Sequence, residues 1–306
     1  MICTCTLNPS LDYYMEFENP LTDGKTNRSQ LEYYEAGGKG INVSIVLNNL
    51  GIPTRAFGFV GGFTKDFYIS LLAKYEEIRP NFTYINGHTR INVKCHGEQV
   101  TELNATGPYI TDADMKNLMK KADRLDDGDY LVLAGITAEY LMDDVDEMIR
   151  NATENKVKVV LDTNPEFMRS LLKYKPFMIK TTVPELSLMF DETFTDRDMI
   201  VDRAKVLFEE GAEHVLIILD NRHAILVFKD GVYECDILHE EKAVNWVGTG
   251  DSMIAGFLMN YLRSRDSVDS FRFGASCGSA TAYSKGLATR EKIDSFYENT
   301  KLEKIG

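Results

Sequence analysis

Two short stretches of this 306-residue chain combine glycines with ionisable side chains in ways that suit anion chemistry, and a third, glycine-free constellation joins them. Gly248-Thr249-Gly250-Asp251 runs directly into an amphipathic stretch, Ser252–Leu262. Glycines let a backbone turn tightly and approach a ligand, and a helix start adds unpaired N–H groups and the positive end of a dipole. Asp251 has two open readings there. It is either a carboxylate capping the helix, or a general base taking the proton of an alcohol that attacks a phosphoryl group. Gly37-Gly38-Lys39-Gly40 offers a similar turn with a point charge suited to phosphate; the alternative is a strand-to-helix connection carrying an exposed lysine. It lacks the P-loop spacing, and no strand-associated GxGxxG is present, so nicotinamide and flavin chemistry fit poorly. The third constellation pairs Asn8-Pro9-Ser10-Leu11-Asp12 with Thr89-Arg90-Ile91-Asn92-Val93-Lys94. Arg90 could fork two N–H donors onto a phosphate, or be a solvated strand arginine.

The elements that must position these residues alternate. Short β-rich runs are expected at Ile2–Leu7, Thr54–Gly58, Tyr130–Ala134, Val157–Asp162, Phe177–Lys180 and Val215–Leu219. Helical patterns separate them at Asn42–Leu50, Met115–Leu125, Leu141–Asn151 and Met199–Glu209, and fill the last third at Asp251–Arg263, Val268–Ser284 and Arg290–Thr300. That rhythm predicts an α/β domain with a mostly parallel sheet between helical layers. In such sheets ligands bind beyond the carboxyl ends of strands, where the cluster after the first strand falls. Two segments break the rhythm, about 12–35 and 89–104. Their alternation at Asp12–Phe17, Arg28–Tyr34 and Arg90–His96 predicts antiparallel strands of a small inserted sheet, suited to a lid or a dimer contact; ordinary edge strands of the main sheet are the alternative.

Bulk properties exclude several partners. The net charge is -13, from 34 Lys+Arg against 47 Asp+Glu, which argues against nucleic acid and anionic membranes. A small phosphorylated ligand needs only a few local donors and is compatible with that balance. No basic n-region leads an apolar run, no window approaches a membrane span, and five scattered cysteines form no CxxC pair. A reduced, cytoplasmic protein is expected, with Cys3 and Cys5 on one face of a strand.

The order and spacing of NPSLD, GGKGIN, TRINVK, ELNATGP and GTGDSMIAGF resemble the phosphosugar branch of the ribokinase-like (phosphofructokinase-B) family over essentially the whole chain. The resemblance implies one three-layer α/β/α domain spanning 1–306, with a small β-sheet lid and a homodimer formed through it. It implies transfer of the ATP γ-phosphate to a ketohexose phosphate, first of all fructose 1-phosphate, with tagatose 6-phosphate as the alternative acceptor. Asp251 would be the base, and the N–H groups of Gly248, Thr249 and Gly250 would stabilise charge on the transferred group. Asp12, Gly37, Gly38, Asn42 and Asn104 would line the sugar pocket, with Lys39 and Arg90 gripping the phosphate that the sugar carries.

On the nucleotide side the resemblance implies ATP and Mg²⁺, with Lys180, Thr182, Glu185 and Asp220 beside Gly248 and Gly250, and Glu185 acting indirectly on the metal. Three departures fall there. The family's Lys-Pro-Asn-x-x-Glu reads Lys180-Thr181-Thr182-Val183-Pro184-Glu185. Its Ser-Leu-Gly-x-x-Gly turn reads Ile218-Leu219-Asp220-Asn221-Arg222-His223, placing a carboxylate near a polyanion with Arg222 as a candidate offset. The residues before GTGD read Asn245-Trp246-Val247, with the only tryptophan where threonine is common. The departures predict either an altered but working nucleotide site or a sugar-phosphate-binding regulatory protein.

Overall fold

The computed structural model describes residues 1–220, 222–237, 243–244 and 246–306. Apolar runs expected as strands do form a continuous sheet. Ile2–Thr6 lies between Tyr130–Ala134 and Thr54–Gly61, and Lys158–Asp162, Met178–Thr182 and His214–Ile218 follow in order, each adjacent pair among these six strands being parallel. Three antiparallel strands extend the far edge: His223–Phe228, Gly231–Ile237 and Thr300–Lys304. The helical pattern expected over Arg290–Thr300 ends at Tyr297, and the chain then turns into that last strand. The helix Gly62–Leu72 and the short strands Ile78–Pro80 and Thr83–Ile85 were also not anticipated.

Strand alternation divides the apolar residues between two layers. Cys3, Cys5, Leu131, Leu133, Val159 and Leu161 pack against Met115, Leu118, Val145 and Met148 on one face. Ile2, Tyr130, Val132 and Val160 pack against Val43, Leu47, Ile254 and Phe257 on the other. Cys3 and Cys5 therefore share a face as expected, buried and unbridged. Among the described residues no helix is long and apolar enough to cross a membrane.

The two arrhythmic segments form a separate four-stranded sheet. Its strands are Ser10–Glu16, Leu31–Gly37, Arg90–His96 and Val100–Leu103. One expectation needs correcting. Ser10–Glu16 pairs antiparallel with Leu31–Gly37 but parallel with Arg90–His96. Both central strands begin close to the main sheet and run outward from it, Ser10 beside Arg90 at the inner end. Alternation revealed two distinct faces; direction depends on which end of each segment leaves the main sheet. The pairing puts Asp12, Asn92 and Lys94 on one face, with Tyr13 and Val93 on the other.

Candidate active site

Helix Thr249–Ser264 starts from Gly248 at φ 79°, and no side chain caps it. A β-carbon on Gly248 would lie 2.4 Å from Leu287 Cδ2, so both conformation and space demand glycine. Helix Lys39–Asn49 starts the same way, from Gly38 at φ 127° with no side-chain cap. Two helix N-termini thus keep their first-turn N–H groups unclaimed by caps, and both present the positive ends of their dipoles. They meet where Asn42 Nδ2 donates to Asp251 Oδ2 at 2.8 Å. The capping reading of Asp251 therefore falls, since the cap position is Gly248 and the carboxylate is held by the other helix.

Asp251 is only 4% exposed. Burial and the nearby negative charge of Asp162 push its carboxyl up to about 6, against the pull of Asn42, Lys39 and Lys180. Asp162, at the carboxyl end of its strand, is fully buried and bridges two lysines: Lys39 Nζ at 2.8 Å and Lys180 Nζ at 3.0 Å. Burial alone would raise the Asp162 carboxyl, but those two cations outweigh it and hold it below the ordinary value. Sequence reasoning did not single out Asp162. Its signal was a carboxylate ending the β-rich run Val157–Leu161, at the strand end where ligands bind.

Lys39 is neither an exposed loop lysine nor confined to the acceptor side. Its ion pair with Asp162 places it on the walls of two cavities. One cavity is lined by Lys180, Thr182, Glu185, Asp220, Gly248, Thr249, Gly250 and Asp251. The other holds Gly38, Arg90 and Asn104, with an aromatic pair, Tyr109 stacked on Tyr140 at 4.8 Å, on its wall. Arg90 is not a freely solvated strand arginine. Its Nε and Nη1 donate to the carbonyls of Asn8 and Ala105, fixing the loop that follows the small sheet.

A third cavity lies under the polar face of the small sheet and contains Asp12, Gly37 and Asn42. Asp12 Oδ1 accepts from Ser10 Oγ at 2.7 Å and Asn92 Nδ2 at 3.0 Å, and burial raises its carboxyl above the ordinary value. A β-carbon on Gly37 would lie 2.3 Å from Asp12 Oδ2, so glycine is required here by close approach. Lys94 Nζ sits between Glu102 Oε2 at 2.6 Å and Asn104 Oδ1 at 3.4 Å, so Asn104 reaches this polar network as well. Ser10, Asn92 and Lys94 were missed as partners because cross-strand register, invisible in sequence, aligns them.

Two of the three nucleotide-side departures resolve individually. Thr182 Oγ1 accepts from the Glu185 N–H while a Glu185 oxygen accepts from the Thr182 N–H at 2.8 Å, a capping box opening helix Val183–Phe190. Asp220 closes its turn by accepting from the N–H groups of Arg222 and His223, and it pairs with the His223 ring at 2.9 Å. The Arg222 side chain does not offset Asp220. Its guanidinium pairs with Asp236 at 3.0 Å, because the antiparallel hairpin brings that strand alongside. Asn221 and Asn245 lie outside the described residues.

The arrangement is a buried carboxylate at two helix N-termini, on the wall of a cavity that Lys39 and Lys180 also line. It can deprotonate a hydroxyl beside a bound anion. The model described as pfkB family carbohydrate kinase matches residues 6–293. A 1-phosphofructokinase of Bacillus subtilis is 38% identical over 306 residues, 100% of each chain. A D-tagatose-1-phosphate kinase of Bacillus licheniformis is 31% identical over 296 residues, 96% of each. Phosphofructokinase-2 of Escherichia coli, solved with substrates and products, has a TM-score of 0.92 over 97% of this chain and 98% of that one; at 23% identity the likeness speaks to fold alone. With a family match across nearly its whole length, this chain belongs to the pfkB family of carbohydrate kinases.

Proposed function

We propose that this chain transfers the γ-phosphate of ATP to a ketohexose 1-phosphate, fructose 1-phosphate first, giving fructose 1,6-bisphosphate. The observation that carries the reading is Asp251, buried, raised to about 6 and held by Asn42 between the two uncapped helix starts. In this reading Asp251 takes the proton of the sugar hydroxyl as its oxygen attacks the γ-phosphorus. The N–H groups of Gly248, Thr249 and Gly250 receive the charge that builds on the transferred group. Lys39 and Lys180 stand on the same cavity wall and counter that charge, while Asp162 keeps both lysines in place. Asp12 accepts sugar hydroxyls, Gly37 leaves room for it to do so, and Arg90 with Asn104 borders the acceptor's phosphate.

The acceptor's phosphate position rests on the relatives. The Bacillus subtilis 1-phosphofructokinase and the Bacillus licheniformis D-tagatose-1-phosphate kinase are named for ketohexose 1-phosphates, which supports the same choice here. Tagatose 1-phosphate is accordingly a better second acceptor than the tagatose 6-phosphate expected from the motifs. Magnesium suits the donor side. Asp162 Oδ2 is buried without a hydrogen-bond partner among the described residues, and Glu185 keeps one oxygen outside its capping bond. Two such carboxylates match an ion that takes few protein ligands and completes its shell with water and phosphate oxygens. Bound with the nucleotide, magnesium would neutralise triphosphate charge.

The lid role and the dimer belong to the same proposal. Tyr34, Tyr13, Val93 and Leu103 form one row across the outer face of the small sheet. Tyr34 and Leu103 are 40% and 58% exposed, and Phe67 continues the patch from Tyr34 at 5.3 Å. A second copy of the chain would cover that row, so light scattering should give a dimer that Leu103→Asp converts to monomer.

The decisive experiment is calorimetry with Mg-ATP and fructose 1-phosphate, separately and together, followed by a sugar-phosphate panel with ADP release as readout. Binding of both with turnover on fructose 1-phosphate supports the proposal. Sugar-phosphate binding without nucleotide binding would instead favour a regulatory protein, and inactivity on every ketohexose phosphate would sink the acceptor assignment.

A further inference from the structure

Just before Gly248, three apolar side chains face outward: Val244 is 68%, Trp246 61% and Val247 41% exposed. An apolar patch of this kind beside polar cavities marks a surface that a ligand covers. Trp246 stands on the wall of two cavities at once. It borders Lys180, Thr249 and Asp251 on one side, and Asp12, His96 and Leu287 on the other. Its backbone is tied to the helix start, since Thr249 Oγ1 donates to the Trp246 carbonyl at 3.2 Å. Upstream, the Val244 N–H donates to the Ala282 carbonyl at 2.9 Å.

We propose that Trp246 is a positioning residue, on which the C–H face of the acceptor sugar rests and which the two bound substrates together bury, keeping water from Asp251. The inference rests on the kinase reading above. Sugar rings present hydroxyls at their edges and C–H bonds on their faces, so an indole lining the same cavity as Asp12 and Glu102 offers complementary surfaces for both. Removing the indole admits water as a competing acceptor. The bond from the γ-phosphorus to the ADP oxygen breaks, a bond to the water oxygen forms, and Asp251 takes the water proton. The products are ADP and inorganic phosphate.

Trp246 is the only tryptophan, so its emission reports this site directly. Titrating the full chain with fructose 1-phosphate and a magnesium-bound, non-hydrolysable ATP analogue should shift emission to the blue. It should also protect the indole from acrylamide, most strongly with both ligands present. Trp246→Ala should raise KM for fructose 1-phosphate on the order of tenfold through misplacement of the reacting atoms. It should also release more ADP than bisphosphate formed, and Trp246→Phe should restore both properties. Unchanged emission and quenching, while calorimetry registers both ligands, would overturn the proposal; so would an Ala variant with ADP and bisphosphate still in step. If calorimetry registers neither ligand, the kinase reading falls and this inference falls with it.

Discussion

Asp251→Asn should cost turnover and strengthen the fold, and the second effect can be sized from the structure. The Asp251 carboxyl titrates at about 6 in the folded protein, against roughly 3.9 in an unfolded chain. Between those values the folded state holds a proton that the unfolded state has lost, so stability falls as pH rises through the window. Above about pH 6 the charged carboxylate therefore costs the fold about 3 kcal/mol relative to a neutral side chain. Asparagine is neutral at every pH, nearly isosteric, and can present its oxygen to Asn42 Nδ2, which now bonds the carboxylate at 2.8 Å. Lys39 and Lys180 keep Asp162, so no buried cation is orphaned. Urea unfolding at pH 8 should show a higher midpoint for the Asn variant, approaching a gain of 3 kcal/mol, and the gain should vanish near pH 4. Phosphoryl transfer should fall on the order of 10³-fold in the same variant. An Asn variant no more stable than wild type at pH 8, or equally more stable at both pH values, would refute the electrostatic account of this site.

Three further outcomes follow from the same geometry. Wild-type kcat/KM should rise with pH and level off above about 6, because the base must be deprotonated; a profile flat between pH 5 and 7 would remove Asp251 from that role. Gly37→Ala, whose β-carbon would meet Asp12 Oδ2 at 2.3 Å, should raise KM for the sugar phosphate by about tenfold or more while leaving KM for ATP nearly unchanged. Lys180→Met leaves Asp162 buried with one cation, and urea unfolding should register a loss of about 3 kcal/mol.

Much of this protein was legible from local patterns. Strand and helix positions follow from period and alternation, so the expected runs from Ile2 to Leu219 reappear with their ends shifted by at most about three residues. Gly38 and Gly248 announced themselves because positive φ at a helix start excludes other residues. Asp251, Lys39 and Arg90 stood out as ionisable groups beside such turns. What sequence could not supply was the partner of each. Asp162 read as a strand residue until folding brought Lys39 from 123 positions away and Lys180 from a neighbouring strand. Arg222 read as a foil for Asp220, yet the hairpin gave it to Asp236 and left His223 to pair with Asp220. The parallel pairing of Ser10–Glu16 with Arg90–His96 was likewise hidden, since alternation reports faces and never direction. The sequence determined which residues could carry charge and where the backbone could turn. Only the tertiary structure decided which charges met, because Coulomb energy and hydrogen bonding depend on separation in space, and burial sets how strongly each pair is felt.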